Sequence, residues 1–342
     1  MNWTERCSRG RLLRKIPALV LVFAGLIGGN AQAAIPDAPD PLPVLGTQPG
    51  KNGLIVFEQQ RKCGERCGEY ATGRPGIYSL NLRTGKRKLL VPGPAAQSPN
   101  FARGGRRIVY SNRKFGQTDI YTMNLDGTGR QRVTNDELVE VDPAFLADGR
   151  IGYLSLDGLP YEYFSIKRNG SDRRSAGFYR PFESAGSVSA NSGDLVFTSC
   201  AAYAGPCHVF VRDVFTGSSK ELTVGEVIDS DAIFSPGRRL IAYIRTSTED
   251  SDDCCLEPGV WIMVASGKRN RQIVWSKPNA EIRGIDFSPD GSRLLVESFR
   301  PHQSGPGGFG WIDVVGLSKS GTKRIRASRG RGVIEDAVWQ HR

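Results

Sequence analysis

Residues Ser98 to Thr134 read SPNFARGGRRIVYSNRKFGQTDIYTMNLDGTGRQRVT, a short unit in which apolar runs alternate with turns. Ser98-Pro99-Asn100-Phe101 opens it and Gly104-Gly105 turns the chain. Ile108-Val109-Tyr110 is an apolar strand, and Asp119-Ile120-Tyr121 begins a third strand that ends at Leu125. Asp126-Gly127-Thr128-Gly129 turns the chain again, and Gln131 to Thr134 supplies the fourth strand. Short β-branched and aromatic runs bounded by Gly, Asp and Asn predict antiparallel hairpins. Gly suits such turns because many of them need positive φ.

The unit recurs with a period of about 43 to 53 residues, the range of propeller blades. Strand one ends in an aromatic at Phe145, Phe234 and Phe287 as it does at Phe101. A Gly marks each turn between strands three and four: Gly85, Gly127, Gly170, Gly217, Gly267 and Gly321. The unit at Gly53 to Pro92 lacks a first strand and begins with Leu54-Ile55-Val56-Phe57. Its missing strand is expected at the other end of the chain, where Glu335-Asp336-Ala337-Val338-Trp339 matches Ser230-Asp231-Ala232-Ile233-Phe234. A lone blade cannot bury both faces, so the ring must close. The expected fold is all-β, a six-bladed β-propeller of four-stranded antiparallel blades occupying 51–342. Blade one spans 51–93 plus 332–342, and the others span 95–136, 138–181, 182–226, 227–278 and 279–330.

These blades resemble the TolB-type, WD-like propeller repeat. The resemblance rests on Asp286-Phe287-Ser288-Pro289-Asp290-Gly291, on Ile120-Tyr121 and on Asp126-Gly127, and it covers nearly all of the chain after the N-terminus. It implies the propeller fold and work in the cell envelope or outside the cell. It extends to the propeller part only, without the additional N-terminal α/β domain of TolB.

The N-terminus reads as a signal peptide, 1–33. Arg6, Arg9, Arg11, Arg14 and Lys15 precede an apolar stretch, Ile16 to Gly29, and then Ala31-Gln32-Ala33. That is the order of a secretory signal, and the apolar run is short for a membrane span. A Pro-rich leader, 34–50, follows. The chain carries a net charge of +11, and removing the signal leaves 41 basic against 34 acidic residues, or +7. The protein is therefore expected to be periplasmic or secreted, without a membrane span after cleavage, and a monomer. Its expected partners are an envelope or extracellular protein or an anionic glycan, and not nucleic acid. After Cys7, six cysteines remain in close pairs: Cys63 and Cys67, Cys200 and Cys207, Cys254 and Cys255. In an exported chain such pairs are disulfide candidates.

Catalysis finds little support. There is no Gly-x-Ser-x-Gly elbow for a hydrolase. The three His, His208, His302 and His341, are scattered, which speaks against zinc or a His-bound metal. The acidic stretch Glu249-Asp250-Ser251-Asp252-Asp253 lacks the spacing and Gly of a calcium loop. The position three residues before the strand-one aromatic is more informative, because it holds Asp142, Asp231 and Asp336. Strand one lines the channel of a propeller, so these carboxylates would ring one mouth of it. There they would hold a cation such as calcium through oxygen ligands, or accept a basic segment of a partner. Alternatively each Asp caps its own inter-blade turn through nearby backbone N–H groups. No other cofactor is expected. The function expected is non-catalytic binding of a protein or glycan. The alternative is a propeller-type lyase or hydrolase acting on polysaccharide or peptide.

Overall fold

Each apolar run of the repeat becomes a strand, and the strands gather into antiparallel sheets of four. The computed structural model describes residues 51–60, 74–114, 116–146, 148–157, 161–178, 183–188, 194–200, 205–213, 216–247, 258–301, 308–317, 324–329 and 333–341. Blade one contributes β1 (Asn52–Gln60), β2 (Gly76–Leu80) and β3 (Arg87–Pro92). Blade two holds β4 (Ala96–Phe101), β5 (Arg107–Lys114), β6 (Gln117–Asn124) and β7 (Gln131–Arg132). Blade three holds β8 (Glu140–Phe145), β9 (Ile151–Ser155), β10 (Glu162–Ile166) and β11 (Arg174–Phe178). Blade four holds β12 (Glu183–Val188), β13 (Asp194–Cys200), β14 (Cys207–Asp213) and β15 (Ser219–Glu221). Blade five holds β16 (Val227–Phe234), β17 (Leu240–Ser247), β18 (Gly259–Val264) and β19 (Arg271–Trp275). Blade six holds β20 (Glu281–Phe287), β21 (Arg293–Pro301), β22 (Gly308–Gly316) and β23 (Arg324–Arg329). The last strand, β24 (Val333–His341), pairs with β1, giving the order β24-β1-β2-β3. One parallel bridge, Cys207 to Ile228, links the sheets of blades four and five.

The first strands pack on one another from blade to blade: β24 on β4, β4 on β8, β12 on β16, β16 on β20, and β20 on β24. They therefore form the inner wall. The aromatics that close strand one, Phe101, Phe145, Phe234, Phe287 and Trp339, are all buried. Strands two and three add stacked aromatic pairs, each formed by directly opposed residues of one sheet. Ring centroids are 5.7 Å apart for Phe57–Tyr78 and for Tyr110–Tyr121, 5.9 Å for Tyr153–Phe164 and 5.5 Å for Phe197–Phe210.

The turn glycines have a reason beyond the hairpin. Gly85, Gly127, Gly170, Gly217 and Gly267 all have φ between 67° and 86°, and Gly321 lies outside the described residues. Gly170 also presses on the preceding blade, where a Cβ would stand 2.4 Å from the carbonyl oxygen of Val133. Gly127 meets the Leu90 carbonyl of blade one in the same way at 3.1 Å. A side chain there would strain the backbone and push two blades apart.

Candidate functional site

The three acids stand in a special backbone conformation. Strand one slips register against strand two between Gln97 and Asn100, between Val141 and Ala144, and between Ser230 and Ile233. A matching shift separates β24 from β1. In these bulges Ser98, Asp142, Asp231 and Asp336 have φ of 48°, 51°, 51° and 54°. Asp enters the left-handed region more readily than most residues, because its short polar side chain bonds locally. The backbone thus favours Asp at this place. It does not demand a charge, since Ser98 fills the place in blade two and Gly284 the position three before Phe287 in blade six. The acids occupy blades one, three and five.

Asp142, Asp231 and Asp336 are each open to solvent. Yet burial among protein atoms pushes the Asp142 and Asp231 carboxyls above the usual range, partly offset by the hydroxyls of Ser98 and Ser230. Asp142 is also tied across blades, because Ser98 Oγ donates to its Oδ1 at 3.0 Å.

Two acids that the repeat pattern did not single out support these bulges. Ser98 N donates to Glu58 Oε2 at 3.0 Å, and Ala337 N donates to Glu297 Oε1 at 2.6 Å. Both acids are buried and reach from strand two of one blade to strand one of the next. The signal was present in Ile55-Val56-Phe57-Glu58 and Leu294-Leu295-Val296-Glu297, each an apolar run ending in an acid.

No group of three or more His, Cys, Asp or Glu among the described residues is placed to hold a metal ion. His208 Nδ1 lies 2.6 Å from Glu221 Oε1 and Nε2 lies 2.8 Å from the Gly225 carbonyl, so both ring nitrogens are engaged. Cys200 and Cys207 face one another across β13 and β14 and form a disulfide. It closes a short loop at the end of a hairpin. The double Cys200→Ser/Cys207→Ser protein is expected to fold and to lose about 2 kcal/mol, the loop-entropy value for a ring of this size. Urea unfolding with and without reductant checks this. A parent insensitive to reductant and equal to the variant would rule out a stabilising bridge. The signal peptide, the leader, Cys63, Cys67, Cys254, Cys255, the acidic stretch 249–253 and His302 lie outside the described residues.

Among the described residues no helix is long and apolar enough to cross a membrane. A family model described as the TolB beta propeller domain matches residues 68–257, more than half of the chain. The Tol-Pal system protein TolB of Francisella tularensis subsp. mediasiatica is 26% identical over 186 residues, which cover 52% of this chain and 42% of that protein. The chain thus spans well under two thirds of the length of the curated relatives it matches. TolB from Acinetobacter baumannii superimposes with a TM-score of 0.61 at 16% identity, over 87% of this chain and 68% of that one. A putative TolB from Agrobacterium tumefaciens gives 0.58 at 14%, over 83% and 91%. At these identities the structures are similar in fold.

Proposed function

The chain belongs to the TolB beta propeller domain family, and from that premise we propose that it is an exported, non-catalytic binding module of the cell envelope. Its partner is a protein that presents a basic segment to the channel. The observation that carries this reading is the placement of Asp142, Asp231 and Asp336 at equivalent bulges of alternate blades, each open to solvent within the inner wall. Three carboxylates around one axis make a negative mouth on a chain whose net charge is positive. Such a mouth attracts a cationic segment and repels an anionic glycan. The relatives' description as Tol-Pal system proteins supports a protein partner, and the N-terminal signal pattern supports export.

The test replaces all three acids by Asn, which keeps the left-handed backbone and removes the charge. Without a partner the triple variant should be at least as stable as the parent, because like charges no longer repel. Its capture of the partner from envelope extract should fall by at least about tenfold, or about 1.4 kcal/mol. In a titration from pH 7.5 downwards binding should weaken earlier than with ordinary aspartates, since burial raises the Asp142 and Asp231 carboxyls and a protonated carboxyl loses its charge. Equal capture by parent and variant across this range would sink the assignment of the mouth.

A further inference from the structure

Blades three and five place an acid at the same point, five residues before the strand-one aromatic. In blade five this is Asp229, and in blade three it is Glu140. Each sits by a Thr that ends the preceding blade. Thr223 Oγ1 accepts from Val209 N at 2.8 Å, and Thr134 Oγ1 accepts from Ile120 N at 2.9 Å. Across the sheet Asp229 faces Arg245, whereas Glu140 faces Ser155.

That single exchange decides how each acid is satisfied. Thr223 Oγ1 donates to Asp229 at 2.6 Å, and Arg245 donates to its two oxygens at 2.7 and 2.9 Å. In blade three no guanidinium among the described residues takes that place, and Ser155 turns instead to Asp157 at 3.3 Å. Glu140 is 0% exposed. Neither of its carboxylate oxygens has a well-formed hydrogen bond, although the Thr134 and Tyr153 hydroxyls lie near enough to favour its ionised form.

The groups that face Glu140 are few. Thr134, Tyr153, Asp136 and Arg173 surround it. Arg173 commits Nη1 to Asp136 at 2.7 Å and lies 3.9 Å over the Phe164 ring. On the neighbouring β6, Asp119 is taken by Arg132 at 2.7 Å. Beyond β9, Asp157 accepts from Val139 N. The remaining cations at the end of β5, Arg113 and Lys114, are exposed. Among the described residues no cation is seated on the buried carboxylate, Arg173 acting on it only from a distance, and an unpaired buried charge is costly.

We propose that Glu140 is a proton-binding site at the junction of blades two and three: protonated, it donates to the oxygens around it; ionised, it loosens the junction. A proton neutralises the buried acid, as Arg245 neutralises Asp229 in blade five. Burial pushes the Glu140 carboxyl up to about 7, with the Thr134 hydroxyl offsetting part of the rise. In the unfolded chain a Glu titrates near 4.3. The folded value lies above the unfolded one, so the associated stability is full below about pH 4.3 and is lost as pH rises through about 7.

The experiment compares thermal melting of the parent and Glu140→Gln from pH 5 to 9. Gln is neutral throughout, so its advantage should be near zero at pH 5 and grow to several degrees by pH 8. Parallel melting curves at every pH would overturn the proposal. Protein labelled with carbon-13 in its glutamate carboxyls gives a second readout that needs no variant. One glutamate should titrate near neutrality, well above the remainder. If every glutamate ionises near the ordinary value of about 4.3, the proposal fails even where Glu140→Gln does not fold.

Discussion

Removing Val333 to Arg342 should abolish the native fold. The segment contains β24, which supplies Ile334, Ala337 and Trp339 to a core cluster with Ile55, Phe57, Leu295 and Ile312. Trp339 is 1% exposed, and truncating one buried Trp typically costs about 3–5 kcal/mol. Ile334 adds about 2–5 kcal/mol. The deletion also strips hydrogen bonds to three blades. β24 pairs with β1 in blade one, Trp339 N donates to Asp286 in blade six at 2.9 Å, and Gln340 Nε2 donates to the Gly105 carbonyl of blade two at 2.9 Å. Buried Glu297 loses its bond from Ala337 N. Together these losses match the whole stability of an ordinary domain, about 5–15 kcal/mol. The truncated chain should show no cooperative melting and should aggregate through the open edge of β1. A normal, cooperative melt would mean that β24 is an accessory strand.

The same strand shows what the amino-acid sequence discloses and what it withholds. The match of Glu335–Trp339 to Ser230–Phe234 located β24 beside β1, because strand-one residues repeat in type. The turn glycines were legible for the same reason, and Cys200 with Cys207 was legible because hairpin ends are local. The bulges were only half legible. Counting back from the aromatic found Asp142, Asp231 and Asp336, but not that they share a left-handed conformation with Ser98. That conformation arises only when strand one must fit an extra residue against strand two. Contacts between blades were hidden more deeply. Glu58 and Ser98 are 40 residues apart, as are Glu297 and Ala337. A repeat pattern describes one blade at a time and is silent on which side chain crosses to the next.

The arginines belong to this hidden class. The net charge counts them without showing where they lie. In the fold Arg87 lies over Phe57 and Tyr78, Arg173 over Tyr153 and Phe164, Arg212 over Phe197, and Arg245 over Tyr243 and Trp261. Several blades thus cover the strand-two and strand-three aromatics with a guanidinium, a planar cation that suits a ring face. Part of the positive charge is therefore structural. This sharpens the case for a local negative mouth, because net charge says little about the wall of the channel.

Arg245→Met should be among the most damaging single substitutions in the molecule. Its guanidinium is 10% exposed and meets an Asp229 carboxylate that is 0% exposed. Met keeps most of the packing on Tyr243 and Trp261 and removes only the charge and its donors. Asp229 is then left buried with Thr223 as its remaining donor. Breaking one side of a buried pair costs about 3–5 kcal/mol, chiefly from the stranded charge. Asp229→Asn should cost less, because Arg245 retains its two aromatic rings and Asn still accepts from Thr223. The double variant removes both charges and should recover part of the loss, with an interaction energy of about 1–3 kcal/mol. Urea unfolding of the four proteins at pH 7 measures the cycle. Additive single effects would show that the two groups act independently. The contrast between blade three and blade five would then lose its basis, since the guanidinium would be ornament rather than the answer to a buried acid.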